Sequence, residues 1–243
     1  MSEATFASFH LLSLPPGRRA VGGALARVPW ERSRLRHLDG LVLGKVLGTG
    51  RGEATTLAAD LQRWALLCFW EDEAAYDRAR LPRRWKGAPG PEGSPEGECW
   101  SVRLRPLSSR GTWSGHHLAA SGEAPDPDAP IAFVTRATIR LRRLRAFYAA
   151  VPVVDADLLA RPGRLRSLGM GEWPVAQQGT FSLWSSPAEA RAFAYGGTDH
   201  KAVIRRTRAE DWYAEELFAS FQTSGSEGTW NGVDPLRSPP APR

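Results

Sequence analysis

Seven consecutive apolar residues, Trp64 to Trp70 (WALLCFW), form the longest such run in the chain. Read as a strand, they put Trp64, Leu66, Cys68 and Trp70 on one face and Ala65, Leu67 and Phe69 on the other. A strand apolar on both faces must be covered on both sides. Three further β-prone runs are Thr5 to Leu12 (TFASFHLL), Ile131 to Ile139 (IAFVTRATI) and Gly179 to Trp184 (GTFSLW). In the second of these, alternation places Val134, Arg136 and Thr138 on one face and Phe133, Thr135 and Ala137 on the other, so a central position would shield an arginine. Helices are predicted from about Asp72, over Leu141 to Ala150, and from Pro187, where Ser186-Pro187-Ala188-Glu189 supplies a cap, a first-turn proline and a capping-box glutamate. Ala190, Phe193 and Ala194 share a face of that last helix, and Gly196 and Gly197 end it. After the run from His200 to Arg206, Thr207 and Glu210 repeat the capping-box spacing. Ala214, Leu217, Phe218 and Phe221 then recur at i, i+3, i+4 and i+7, which predicts an amphipathic helix with Asp211, Glu215 and Glu216 toward water.

The order of elements repeats. In the first half, the Thr5 strand is followed by a connecting segment, Leu47-Gly48-Thr49-Gly50, the Trp64 strand and a helix; in the second, the Ile131 strand is followed by a helix, Leu168-Gly169-Met170-Gly171, a strand and a helix. The predicted class is α+β, with two tandem ferredoxin-like halves packed as a barrel-like sandwich, each sheet covering the open face of the other. The divisions are a first half over 1–120, a linker over 121–130 (SGEAPDPDAP), a second half over 131–237 and a disordered tail over 238–243. Ala88 to Glu98 (APGPEGSPEGE) reads as a loop within the first half.

Composition narrows the function classes. The net charge of +6 invites an anionic partner, yet only three of the 32 basic residues are lysines (Lys45, Lys86, Lys201), so the arginine excess reads as codon bias. Arg140, Arg142, Arg143 and Arg145 cluster at a strand-to-helix junction with no nucleic-acid motif beside them, which argues against a nucleic-acid partner. No apolar run approaches the roughly 20 residues that span a bilayer. Two cysteines, Cys68 and Cys99, make neither a disulfide framework nor a zinc site. A cytoplasmic protein with free thiols is the expectation.

His200 is the one histidine between two well-signalled elements, a helix and a presumed strand; on the residues alone it reads as a capping or hydrogen-bonding side chain. His116 and His117 are vicinal, would point to opposite faces of a strand, and suit a solvated loop better than a shared metal. His10 and His37 read as structural, and Cys68 as an inert core thiol with thiolate ligation as its alternative. Arg51, in the Gly-rich LGTGRG turn, lacks a nucleotide-binding spacing around it. Trp70, Trp184 and Trp212 sit where they would seal the core, whereas Trp113 and Trp230 lie in Gly-rich segments that could line an apolar channel.

The chain resembles the spheroidene monooxygenase family, bacterial oxygenases of carotenoid biosynthesis. The resemblance rests on Leu47 to Gly52 (LGTGRG), Arg110 to Gly115 (RGTWSG), Val134 to Ile139 (VTRATI), Gly169 to Trp184 (GMGEWPVAQQGTFSLW), Ala192 to Phe221 and Gly228 to Leu236 (GTWNGVDPL), in the family's order. It implies a fold akin to the dimeric α+β barrel haem proteins and an enzyme with haem b (iron) that uses O2. The implied reaction introduces a keto group into an acyclic carotenoid by successive hydroxylations at one carbon, with electrons from a ferredoxin-type donor. The histidine that matches the family's segment downstream of Tyr195 is His200, which the resemblance makes the catalytic iron ligand. Tyr195, Arg136 and Arg51 become cofactor-binding candidates; for Arg136 the partner is a haem propionate or, equally, an internal carboxylate. A substrate that lives in the bilayer implies peripheral contact with the inner face of the cell membrane through an arginine-rich surface. Two alternatives remain: a non-catalytic haem or apolar-ligand binding protein on the same fold, and an oxygenase of another apolar substrate.

Overall fold

A computed structural model describes residues 3–14, 18–53, 58–81, 97–173, 175–196 and 198–237, with backbone alone at 18–21, 23–27, 173, 195–196, 198–202 and 204. The order is β1 (Phe6–Ser13), α1 (Arg18–Leu35), β2 (Leu41–Gly50), β3 (Ala59–Trp70), α2 (Glu73–Ala79), β4 (Glu98–Gly111) and β5 (Ile131–Ile139). A 3-10 turn (Leu141–Arg143) then leads into α3 (Leu144–Leu159), β6 (Arg164–Trp173), β7 (Gln177–Trp184), α4 (Pro187–Gly196), α5 (Thr198–Ala209) and β8 (Tyr213–Gly228). The strands close an antiparallel barrel in the order β1-β3-β2-β6-β7-β5-β8-β4. Each half therefore contributes four neighbouring strands in the same internal order, second, third, first, fourth, with helical segments after its first and third strands. One seam is long, β4 against β8 from Trp100↔Gly228 to Gly111↔Leu217. The other, β2 against β6, pairs only Gly48↔Gly171 and Thr49↔Met170.

Alternation fills the barrel. Phe9, Leu67, Trp100, Phe181, Leu217 and Phe221 all point inward and are buried, and Phe9 of the first half stacks on Phe181 of the second with ring centroids 3.9 Å apart. The Trp64–Trp70 run is covered on both sides as its pattern requires: Ala65, Leu67 and Phe69 join the barrel interior, while Leu66, Cys68 and Trp70 pack outward with Leu35, Ala75 and Tyr76. Asp72 caps α2, its carboxylate accepting the Ala75 N–H at 2.7 Å, and Ser186 accepts the Glu189 N–H at 3.3 Å at the start of α4.

The predicted helix over 211–221 is instead β8. Leu217, Ala219 and Phe221 are buried in the barrel interior and Ala214 is exposed, so the residues that satisfy the helical period do not share a face. Pairing with β4 on one side and β5 on the other satisfies the backbone, and tertiary hydrogen bonding overrides a short-range period. The run from 200 to 206 is likewise helical, inside α5, and Thr207 and Glu210 lie at that helix's end rather than at the start of another. The first-half connecting segment contains α1, whose Gly22, Gly23 and Pro29 had hidden it. The tail over 238–243 and most of the 88–98 loop lie outside the described residues.

Candidate functional site

The two halves differ on their outer faces. On that of the first half, Leu35 of α1 and Ala75 and Tyr76 of α2 pack with Leu66, Cys68 and Trp70 among the described residues. That of the second half, between the sheet of β5, β7 and β8 and the helices α3, α4 and α5, holds a cavity of about 460 Å³. The strand pleat decides its floor. Phe133, Thr135 and Ala137 of β5 and Gln178, Thr180 and Ser182 of β7 face it, and their alternates Val134, Phe181 and Leu183 face the barrel. Its walls are mostly apolar, from Phe147, Val151 and Val154 of α3, Phe193 of α4 and Val203 of α5, with Asp155 of α3 and Thr207 of α5 among them. Trp184 and Trp212, both buried, also line it. Arg110 and Arg208 also border it and are exposed, which places cations at its opening. Tyr213 is a further lining residue that the sequence patterns did not mark; burial first, and then the Glu216 carboxylate, push its phenol up to about 12, so it stays protonated.

Position 200 falls in α5, three and seven residues before Val203 and Thr207, both of which line the cavity. The side chains of His200 and Tyr195 lie outside the described residues. Arg136 borders the cavity, but its side chain is 3 % exposed and turned into the barrel. Its guanidinium pairs with Glu215 and, at 3.2 Å, with Glu172, and lies 5.3 Å from the centre of the Trp113 ring. The internal-carboxylate alternative is thus the arrangement present. Glu172 also accepts from Lys45 at 2.6 Å and from the Trp113 indole at 2.7 Å; Glu215 accepts from Thr112 at 3.0 Å and from the Gly115 N–H at 2.9 Å. Burial alone would raise both carboxyls. The Lys45 hydrogen bond and charge at Glu172, and the Gly115 and Ser114 backbone at Glu215, together with Arg136, outweigh it and hold both below the usual carboxylate range. Two cations and two carboxylates from both halves therefore form an ion-paired lock at one end of the barrel, and its two carboxyls are held deprotonated rather than poised as proton donors.

Arg51 is exposed in the β2–β3 turn, its Nε donating to the Ala59 carbonyl at 3.3 Å, and is not among the cavity's lining residues. Trp113 and Trp230 are buried in the barrel core and are not among the cavity's lining residues. Cys68 is fully buried on the outer face of the first half, where desolvation pushes its thiol well above its ordinary value, which disfavours a thiolate ligand. His117 is exposed and His116 half-buried, and among the described residues no group of three His, Cys, Asp or Glu side chains is placed to hold a metal ion. His10 is structural: fully buried, with Nε2 2.9 Å from the Ser8 hydroxyl.

The chain is 37% identical over 200 residues to a spheroidene monooxygenase of Rhodobacter capsulatus, an alignment that covers 80% of each protein. It is 33% identical over 217 residues to that of Cereibacter sphaeroides, covering 87% of this chain and 65% of the relative. With the enzyme of Rubrivivax gelatinosus it shares 32% over 197 residues, 79% and 73% of the two. No family model matches the chain. Among solved structures, an aldoxime dehydratase superposes with a TM-score of 0.61 over 96% of this chain and 86% of that one, at 10% identity. A second, in complex with butyraldoxime, gives 0.57 over 96% and 84%, at 9% identity. These two likenesses concern the fold.

Proposed function

This chain belongs to the spheroidene monooxygenase family, and from that premise we propose that it is a haem-dependent, O2-using oxidoreductase that converts a methylene of an acyclic carotenoid into a ketone. The observation that carries the proposal is the cavity of the second half: large, mostly apolar on its helical side, and walled by the helix that contains position 200. On the equivalent face of the first half, the described residues Leu35, Leu66, Trp70, Ala75 and Tyr76 pack together in a buried cluster. We further infer that the two halves are tandem ferredoxin-like units, supported by their identical strand order, and the second carries the cavity.

The residues present suit haem. A flat apolar macrocycle matches a slot between a sheet and three helices lined by Phe133, Phe147, Phe193 and Phe218. The exposed Arg208 at its opening is suited to a propionate, whereas Arg110 beside it already pairs with Glu216 at 3.2 Å. His200 is the iron ligand we propose and Tyr195 its neighbour at the end of α4; Arg136, engaged by two carboxylates, serves the barrel lock instead. The chemistry that bound haem supplies is reductive activation of dioxygen. Two successive hydroxylations at one carbon and loss of water leave the ketone, each hydroxylation consuming one O2, two electrons and two protons, with electrons from a ferredoxin-type donor. The chain's own part is binding and proton control. The helical wall orients an apolar chain and excludes water, while Tyr213, protonated at working pH, and the hydroxyl of Thr135 present donors on the sheet side.

Expression in a host that accumulates an acyclic carotenoid tests this reading. Wild-type protein should yield the keto carotenoid. Thr135→Trp, which fills the cavity from its floor, should lower the yield at least tenfold, by rough analogy with misplacing a bound substrate by about 1 Å, while the protein accumulates normally. Pigment that binds to wild-type protein and is recovered unconverted would favour a binding protein over an enzyme.

A further inference from the structure

Four of the seven exposed large apolar side chains among the described residues gather around one element: Leu141, 66 % exposed, Val153, Leu159 and Val175 surround α3. Val175 is held there by the Tyr148 hydroxyl, which donates to its carbonyl at 2.8 Å. Along α3 the exposed positions from 149 onward are Ala149, Pro152, Val153, Ala156 and Leu159, with no charge among them. A surface helix of a water-soluble domain ordinarily keeps its outer face polar. Here the helix's acids are drawn off that face: Asp155 borders the cavity and Asp157 pairs with Arg161 at 2.6 Å. Continuing the same stripe toward the N-terminus gives Arg145 and Arg142, both exposed. In that corner Arg140, Arg142, Arg143 and Arg206 pair with Glu210 and Asp211, and Arg145 is exposed beside them, so among the described residues arginines outnumber the acids they pair with.

We propose that the outer face of α3, with its arginine rim, is the surface by which this protein docks on an anionic lipid leaflet. An apolar helical stripe flanked by arginines is the pattern of an interfacial helix, whose apolar face enters the boundary between headgroups and acyl chains while the cations meet lipid phosphate. A second copy of the chain fits less well, because it would cover the apolar stripe but offer the arginine rim no anionic partner on this face. The placement also deepens the carotenoid reading on which it rests: the inner face of the same helix, through Phe147, Val151 and Val154, is a wall of the cavity. One helix thickness would then separate the membrane from the site, so a polyene need not cross water.

Co-sedimentation of the full chain with phosphatidylcholine vesicles, with and without about a third phosphatidylglycerol, tests the proposal. Binding should require the anionic lipid and weaken with salt. Val153→Asp with Leu159→Asp, both at exposed positions, should abolish it. Arg142→Glu with Arg145→Glu should weaken it by about tenfold or more, whereas the charge-matched Arg36→Glu with Arg78→Glu should not. Wild-type protein that ignores anionic vesicles, or a control pair as damaging as the rim pair, overturns the proposal. So does a wild-type dimer that the Val153 and Leu159 substitutions split without any change in vesicle binding. Turnover of detergent-solubilised carotenoid separates this from the catalytic reading. It should survive in the Val153 and Leu159 variant, and its absence in wild-type protein that still binds vesicles would refute the enzyme while leaving the docking face in place.

Discussion

At the scale of single residues, the ion cluster at the barrel mouth and a buried histidine dominate the energetics. Removing the cation with Arg136→Met leaves Glu172 and Glu215 each short of a partner in a site where Arg136 is 3 % exposed. The expected loss is roughly 3–5 kcal/mol of unfolding free energy in urea, with the midpoint moving and the denaturant slope unchanged. His10 sets the acid limit. Burial pushes its pKa down to about 3 from 6.5, so between those values the unfolded chain binds a proton that the folded chain refuses. Stability is therefore full above the unfolded value and falls as pH drops below about 6.5, with a slope of about 1.4 kcal/mol per pH unit from this group. The depressed Glu172 and Glu215 carboxyls add losses of the same sign through the carboxylate range. A His10→Phe variant should flatten the slope between pH 6 and pH 5 in urea titrations at several pH values; an unchanged slope would assign acid sensitivity elsewhere. That Arg136 faces inward was legible from alternation in Ile131 to Ile139. Its partners were not, because Glu172 and Glu215 lie 36 and 79 residues away and only barrel closure brings them together.

Among the elements, strands were legible wherever burial is two-sided or strictly alternating, as in β1, β3 and β5. The errors fall where a local pattern suits two structures. Ala214, Leu217, Phe218 and Phe221 fit a helix by period, yet the same stretch alternates Leu217, Ala219 and Phe221 inward, and the long β4 seam decides the outcome. That seam depends on backbone that only glycine adopts easily. Gly111 has φ of +87°, and a Cβ there would stand 2.0 Å from the Glu216 carbonyl oxygen. Gly111→Ala should therefore cost at least about 2 kcal/mol, read as a lower urea midpoint. Gly52, which also has positive φ (+81°) but open space around it, should tolerate the change with a smaller loss. Equal losses at the two positions would mean that the close approach at Gly111 contributes nothing.

For the whole molecule, a repeated order of elements was visible in the chain, and barrel closure was implied by the two-faced Trp64–Trp70 strand. Invisible was the cavity over the second half's sheet, since whether helices leave a space there depends on side chains from seven elements at once. The candidate site was correspondingly half legible. The Ala192 to Phe221 segment lies in the half that holds the cavity, and α5 walls it, but Tyr213, Arg110 and Arg208 emerged as lining residues only from the fold. The central claim is that this cavity holds haem through His200. Its most direct test is the absorption spectrum of the purified, haem-supplied protein before and after dithionite and carbon monoxide, beside that of His200→Ala. The account predicts a Soret band that shifts on reduction and again with carbon monoxide, about one iron per chain, and loss of that bound haem in the variant. A wild-type protein that stays colourless, or a variant with an unchanged spectrum, would contradict it.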